Sequence, residues 1–134
     1  MSGSEEYALD TSFLIYHYFK KNGKTSRVLA CGVLNPVTIS EVFYVLCRER
    51  GLKKATVFLE DILKKAKLEA SGQLAVIAGQ FKCKYPIALA DCWVLATGKL
   101  RGIPCLFAQR EREMAKYIDE IKEDVKVVFL DEIL

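Results

Sequence analysis

Tyr7-Ala8-Leu9-Asp10-Thr11-Ser12 sets the first strand and the first helix of the chain, because a short apolar run ends in a single acid and the apolar segment Phe13 to Phe19 follows at once. The pattern predicts a strand, a turn and a helix that stops at Asn22-Gly23, with Asp10 at the carboxyl end of the strand. Asp is also a favoured N-cap residue, so helix capping is an equally good interpretation of Asp10.

The remainder of the chain alternates predicted helices with short predicted strands. Helices are expected over residues 24–34, 40–50, 53–66, 71–84, 88–99 and 110–121. Strands are expected over residues 37–39, 67–70, 105–107 and 125–130. This alternation indicates an α/β fold with a mostly parallel central sheet that is covered by helices on both faces.

Length and composition favour one domain over residues 1–134. The 134 residues are 51% hydrophobic and 28% charged, with a mean hydropathy of +0.14, so the chain can fill a core without disulfides. No apolar run reaches the roughly 18 to 20 residues of a membrane span, and the acidic start is unlike an export signal. We expect a soluble, cytoplasmic protein without membrane contact, in which Met1 to Ser4 are a loose end or a cloning remnant.

Cysteine and histidine are poorly placed to carry chemistry. The five cysteines form no C-x-x-C pair of the kind that zinc and redox sites use, and we expect them to be reduced core residues. One histidine, His17, cannot form a histidine metal cluster, and we assign it no catalytic role. The candidate catalytic groups are therefore carboxylates.

Three acids are unusual because each is the one Asp, Glu, Lys or Arg in an apolar stretch: Asp10, Glu41 and Asp91. A buried carboxylate without a partner costs several kcal/mol, so each needs a partner, a capping role or a cation. For Glu41, a favourable position in the first turn of its predicted helix is an equally good interpretation. Asp91 interrupts the most apolar predicted helix, which favours a functional role.

These acids predict a metal site at one edge of the sheet. Ligands of open parallel sheets bind beyond the carboxyl ends of the strands, where Asp10 is expected, and the helices of Glu41 and Asp91 can begin at that edge. Carboxylates that share a cleft repel one another unless a hard divalent cation neutralises them. Magnesium or manganese fits this set of oxygen ligands.

The order of several short motifs resembles the PIN-domain family, especially the VapC-like toxins, from Tyr7 to Leu130. The motifs are Leu9-Asp10-Thr11-Ser12, Ile39-Ser40-Glu41-Val42, Leu89-Ala90-Asp91-Cys92 and an acid in the segment from Ala108 to Met114. The resemblance implies a three-layer α/β/α sandwich and an endoribonuclease that depends on Mg²⁺ or Mn²⁺. It also implies an RNA substrate, a VapB-type antitoxin as partner and a homodimer.

The same resemblance implies that Asp10, Glu41 and Asp91 are catalytic, metal-binding acids and that a fourth acid follows a late strand. Many relatives have a Thr-x-Asp-x-Asp-like segment there. This chain has Ala108 in place of the threonine and Arg110 in place of the first aspartate. We choose Glu111 as the fourth acid because it is the first one beyond the strand, with Glu113 in reserve.

The charge distribution is compatible with RNA but does not require it. Residues 11–110 contain 16 Lys and Arg against 6 Asp and Glu, an excess that would attract a polyanion. Ordinary solvated helix faces explain the same lysines. Two other functions stay open: a non-cleaving PIN-like module that binds RNA or protein, and a phosphatase-like or receiver-like protein, which fits less well because the chain lacks a Gly-rich phosphate loop.

Overall fold

The computed structural model describes residues 5–134, so the predicted loose end, Met1 to Ser4, lies outside the described residues. In chain order the elements are β1 (Tyr7–Leu9), α1 (Thr11–Lys20), α2 (Gly23–Ala30), β2 (Gly32–Leu34), α3 (Pro36–Arg50), α4 (Leu52–Lys65), β3 (Lys67–Leu68), α5 (Gly72–Lys84), α6 (Leu89–Arg101), β4 (Cys105–Phe107), α7 (Arg112–Ala115), α8 (Ile118–Asp124), β5 (Val127–Phe129) and α9 (Leu130–Ile133).

The five strands form one sheet in the order β3-β2-β1-β4-β5, and all four pairings are parallel. At its centre, Ala8 of β1 is in register with Val33 of β2 and Cys105 of β4. The predicted parallel sheet is therefore confirmed.

Helices cover both faces of the sheet. Successive residues of a strand point to opposite faces, so neighbouring residues pack against different helices. Ala8 belongs to a core that includes residues of α5, α6 and α8. Its neighbour Leu9 belongs to a second core that includes residues of α1, α2, α3 and α4. The three-layer α/β/α sandwich is confirmed.

The segment around Asn35-Pro36 differs from the prediction. Residues 24–34 were expected to be one helix and residues 37–39 a strand, but the strand is Gly32–Leu34 and α3 begins at Pro36. The side chain of Asn35 accepts hydrogen bonds from the backbone N–H groups of Val37 and Thr38, both at 2.9 Å, and Pro36 occupies the first helical position. The Asn-Pro pair is therefore the start signal of a helix here, and Glu41 lies beyond its first turn.

The last third of the chain is more broken than expected. The predicted helix over residues 110–121 is two short helices, α7 and α8, with Tyr117 between them packed against Tyr85 at 5.8 Å between ring centroids. The predicted strand over residues 125–130 is shortened to Val127–Phe129. Leu130 begins α9 instead, because the Glu132 side chain accepts the Phe129 N–H at 2.8 Å and caps that helix.

A glycine allows α6 to lie directly against β4. A Cβ atom at Gly98 would lie 2.3 Å from the sulfur of Cys105 and 2.8 Å from the carbonyl oxygen of Ile103. No side chain larger than hydrogen fits at that distance without a shift of the helix or the strand. Gly98 therefore sets the distance between the sheet and the helix that carries Asp91.

The expectation that the cysteines are core residues is correct for two of five. Cys92 and Cys105 are buried, Cys31 and Cys47 are half-buried and Cys83 is exposed, and all five thiols are free. Within residues 5–134, no helix has the length and apolar character needed to cross a bilayer.

Candidate metal centre

The candidate centre lies where the strand order reverses. The chain moves from β1 through β2 to β3 on one side and then crosses to β4 on the other side of β1. A crevice forms beyond the carboxyl ends of strands at such a switch point. Asp10 directly follows β1, and its N–H donates to the carbonyl oxygen of Leu106 in β4 at 3.0 Å. The fold therefore places Asp10 at the mouth of this crevice.

Three acids from distant parts of the chain meet there. One carboxylate oxygen each from Asp10, Asp91 and Glu111 lies within 4.8 Å of the others. We call these three residues the acid cluster. Asp10 and Asp91 retain only 2% and 5% of their exposure, and Glu111 is more open to solvent. A hard divalent cation with oxygen ligands, such as Mg²⁺ or Mn²⁺, fits this donor set.

Each acid of the cluster is placed by the start of a helix. Asp10 is the N-cap of α1, Asp91 lies in the first turn of α6, and Glu111 directly precedes α7. Helix starts favour negative charge because their N–H groups are unpaired and point outward. At Asp10 the contribution is direct, because the N–H of Ser12 donates to its carboxylate and lowers its pKa against the repulsion within the cluster.

The pKa values of the Asp10 and Asp91 carboxyl groups are both raised above the ordinary value of an aspartate. Burial raises the pKa of Asp10 to about 6, against two hydrogen bonds from Ser12 that lower it, and the charges of Glu111 and Glu41 raise it further. Burial also raises the pKa of Asp91 well above its usual range, and the neighbouring Glu111 and Asp10 carboxyls add to the effect. The cluster therefore favours either a bound proton or a bound cation.

Ser12 connects Asp10 to the next strand of the sheet. Its N–H and its hydroxyl both donate to Oδ2 of Asp10, at 3.0 and 2.5 Å. Its oxygen in turn accepts the N–H of Ala108, just after β4, at 2.8 Å. The connection to Ala108 has no signal in the local sequence, because Ala108 contributes only a backbone group.

Glu41 lies beside the acid cluster rather than within the group of three. Its Oε1 accepts a hydrogen bond from the hydroxyl of Thr11 at 2.5 Å, so the residue after Asp10 orients it. Its negative charge nevertheless contributes to the raised pKa values of Asp10 and Asp91. The structure thus brings three of the four predicted acids together and places the fourth next to them.

The segment after β4 directs its side chains to different places. Glu111 joins the acid cluster, whereas Glu113 is an exposed residue of α7. Arg110 turns away towards the C-terminal helix: its guanidinium lies 4.3 Å from the ring centroid of Phe129, and its Nη1 is 2.8 Å from Oδ2 of Asp131. Of the two candidates for the fourth acid, Glu111 therefore lies in the acid cluster and Glu113 does not.

Comparison with known sequences identifies one family. A family model described as PIN domain matches residues 7–120 of the chain. No curated protein sequence matches it.

Solved structures share the fold at low sequence identity. VapBC2 from Rickettsia felis bound to a promoter DNA fragment matches with a TM-score of 0.72 and 12% identity, covering 92% of this chain and 97% of that chain. DNA-bound VapBC from Salmonella typhimurium matches with a TM-score of 0.73 and 14% identity, covering 94% and 98%. VapC20 from Mycobacterium tuberculosis, a Sarcin-Ricin loop cleaving toxin, matches with a TM-score of 0.62 and 16% identity, covering 81% and 92%.

Proposed function

Because this chain belongs to the PIN-domain family, we propose that it is a metal-dependent endoribonuclease that hydrolyses RNA phosphodiester bonds as the toxin of a VapBC-type pair. The observation that carries the proposal is the convergence of Asp10, Asp91 and Glu111 to within 4.8 Å at the switch point of the sheet. Such crowding of carboxylates is costly without a cation, so it supports a role in metal binding.

In this proposal Asp10, Asp91 and Glu111 hold Mg²⁺ or Mn²⁺. When bound, such an ion would lower the pKa of a water molecule and offset the negative charge that develops on the phosphodiester. Ser12 donates both of its hydrogen bonds to Oδ2 of Asp10. Oδ1 is therefore the oxygen that we assign to the cation. The raised pKa values mean that protons and the cation compete for the same oxygens.

We assign Glu41 a different role from the other three acids. Thr11 donates a hydrogen bond to one of its oxygens, and its charge raises the pKa values of Asp10 and Asp91. A carboxylate held in this way can accept a hydrogen bond from an attacking water and orient it for attack at phosphorus. Glu41 therefore completes the catalytic set even if it does not bind the ion.

The proposed partners follow from the solved relatives. Two of them are VapBC assemblies, and one is a toxin that cleaves the Sarcin-Ricin loop. By analogy we propose a VapB-type antitoxin, a homodimer and a cytoplasmic location for this chain. Co-expression with a small DNA-binding protein from a neighbouring gene, followed by size-exclusion chromatography with light scattering, tests the first two, and separate monomers would contradict them.

Cleavage of RNA with and without Mg²⁺ tests the proposed reaction. We expect metal-dependent cleavage by the wild type and a loss of at least about a hundredfold for Asp10→Asn and Asp91→Asn, since either change removes a ligand charge. Glu113→Gln is the matched control, because it neutralises an exposed acid of the same segment outside the cluster. Equal activity of the wild type and both Asp variants would contradict the proposal.

The same experiment distinguishes the alternative, a non-cleaving PIN-like module that binds RNA or protein. Ala108 and Arg110, which depart from the family pattern, are the observation in its favour. RNA binding without metal-stimulated hydrolysis would support it. The position of Glu111 in the acid cluster favours the nuclease.

A further inference from the structure

A groove of about 730 Å³ adjoins the acid cluster. Its size falls within the roughly 300 to 1,000 Å³ of pockets that hold small ligands, which is enough space for a nucleoside. One wall is the outer face of α1 and the other comes from the segment after β4 and from α9. The lining residues that matter here are Ser12, Tyr16, Phe19 and Lys20 of α1, Ala108 after β4 and Asp131 of α9.

The groove begins where the acid cluster ends. Ser12 and Ala108 line it, and they are the two residues that the hydrogen bond of 2.8 Å joins beside Asp10. From Ser12 to Lys20 the wall follows nine residues of α1, a rise of about 12 Å along the helix axis. A chain with one phosphate at the cluster can therefore continue along this wall.

The wall combines aromatic rings with positive charge. Phe19 is 44% exposed and has the guanidinium of Arg50 5.0 Å from its ring centroid. Tyr16 has the ammonium group of Lys20 5.7 Å from its ring centroid. Aromatic faces beside cationic groups are the usual platform for unpaired bases and their phosphates.

Asp131 lines the groove, but an ion pair weakens its electrostatic repulsion of RNA phosphates. Asp131 forms an ion pair with Arg110 at 2.8 Å, which lowers the pKa of Asp131 and offsets its charge. Lys20, at the far end of the wall, forms no ion pair with an acid within residues 5–134. The groove is thus apolar along its length and positive at the end away from the acid cluster.

We propose that this groove is a base-stacking subsite for single-stranded RNA next to the phosphate that lies at the acid cluster. Phe19 and Tyr16 stack against a base, and Lys20 contacts a phosphate. The proposal deepens the proposed function and rests on it for the position of the scissile phosphate. An apolar protein segment is the competing occupant, but it has no need of the cations beside both rings.

Matched substitutions of Phe19 test whether stacking or simple apolar contact is used. The assay is fluorescence anisotropy of a labelled 12-nucleotide oligoadenylate RNA, with Asp91→Asn in every protein to prevent cleavage. Phe19→Trp keeps a ring and is expected to bind as the wild type does, while Phe19→Leu keeps apolar area only and is expected to bind roughly 5- to 100-fold more weakly. Equal affinity of the Leu and Trp variants would overturn the proposal.

A second measurement leaves the protein unchanged, in case Phe19→Leu alters its packing against Tyr18. The affinity of oligoadenylates with an abasic site at one position is measured for the protein that carries Asp91→Asn and retains Phe19. One or two positions are expected to lose affinity much more than the others, because a defined subsite stacks a defined base. A uniform small loss at every position would count against the subsite.

Lysine substitutions test the phosphate contact. Lys20→Gln is expected to lower the slope of log affinity against log salt by about one. Lys64→Gln, which removes the same charge from an exposed position on α4, is expected to leave the slope unchanged. Equal effects of the two changes would mean a general attraction and would contradict a specific contact.

Cleavage assays separate this proposal from the proposed function. If wild-type protein cleaves RNA with Mg²⁺ while Phe19→Leu binds and cleaves normally, the subsite is wrong and the nuclease stands. If the wild type does not cleave but Phe19→Leu and the abasic series weaken binding, the nuclease fails and the subsite stands.

Discussion

Ser12 is the residue on which the geometry of the acid cluster depends most. It holds one oxygen of Asp10 with two hydrogen bonds and also accepts the N–H that follows β4. The side chain therefore connects the ends of β1 and β4, the two strands on either side of the switch point.

We predict that Ser12→Ala lowers the free energy of unfolding by about 1 to 3 kcal/mol, because it removes a bond to a carboxylate and leaves the Ala108 N–H without its acceptor. Urea unfolding of metal-free protein measures the change. Ser12→Thr retains a hydroxyl and is the control. Wild-type stability of Ser12→Ala would contradict this role.

Asp10 makes the stability of the metal-free protein depend on pH. Because its folded pKa of about 6 exceeds the usual value of an aspartate, the folded protein binds more protons than the unfolded chain between those values. Ionisation of Asp10 therefore destabilises the fold progressively as pH rises from the unfolded pKa through the folded pKa of about 6, and causes no further loss at higher pH. The difference between the two pKa values corresponds to about 3 kcal/mol.

We predict that Asp10→Asn gains stability relative to the wild type by up to about 3 kcal/mol between pH 4 and pH 8. Asn retains the ability to cap α1, so the comparison isolates the charge. Urea unfolding in the presence of a chelator at both pH values measures the effect. A difference between the two proteins that is the same at pH 4 and pH 8 would contradict the pKa assigned to Asp10.

The acids of the site differ in how well sequence could identify them. Asp10 and Asp91 are predictable because a lone charge in an apolar stretch requires an explanation. Glu111 was chosen as the first acid after a strand, and its place in the acid cluster agrees with that choice. The offset position of Glu41 depends on a single contact with Thr11, thirty residues away, which no local pattern encodes.

At the scale of elements, α6 matters most because it carries Asp91 into the crevice. Its distance from β4 is set by Gly98, where a Cβ would clash with the sulfur of Cys105 and the carbonyl of Ile103. The neighbouring helix α5 contains Gly79, around which nothing lies within 4 Å of an added Cβ.

This contrast gives a matched pair of substitutions. We predict that Gly98→Ala destabilises the protein by about 1 to 3 kcal/mol through overpacking. Gly79→Ala is expected to stabilise it by about 0.5 to 1 kcal/mol, because alanine is the better helix former. Thermal and urea unfolding measure both, and destabilisation of equal size at the two positions would contradict the close packing of α6.

Elements with distinct local patterns were predictable, and those at ambiguous signals were not. The strand Tyr7–Leu9 lies between Glu6 and Asp10, and Cys105–Phe107 directly follows Pro104, so both were predictable. Gly32–Leu34 is a short buried run that follows a helix directly, and such a run resembles the end of that helix. Its prediction as helix was wrong because only pairing with β1 and β3 distinguishes the two.

At the scale of the whole molecule, the distribution of charge is compatible with the proposed nuclease. The residues of the acid cluster form a negative crevice, whereas residues 11–110 carry a clear excess of lysine and arginine. A bound divalent ion would reduce the charge of the crevice and let the basic surface act on RNA.

We predict that Mg²⁺ or Mn²⁺ stabilises the wild type at pH 8 and has a much smaller effect on Asp91→Asn. In the proposed function the ion binds the folded acid cluster and has no comparable site in the unfolded chain, so the melting temperature should rise with its concentration. Glu113→Gln is the control and should respond as the wild type does. An identical rise in all three proteins would indicate binding elsewhere.

The most direct measurement is anomalous diffraction at the manganese edge from crystals grown with Mn²⁺. The account predicts a peak within coordination distance of carboxylate oxygens of Asp10, Asp91 and Glu111, and its loss in crystals of Asp91→Asn. A wild-type crystal with manganese bound only at other residues, or with none at these three acids at saturating concentration, would contradict it.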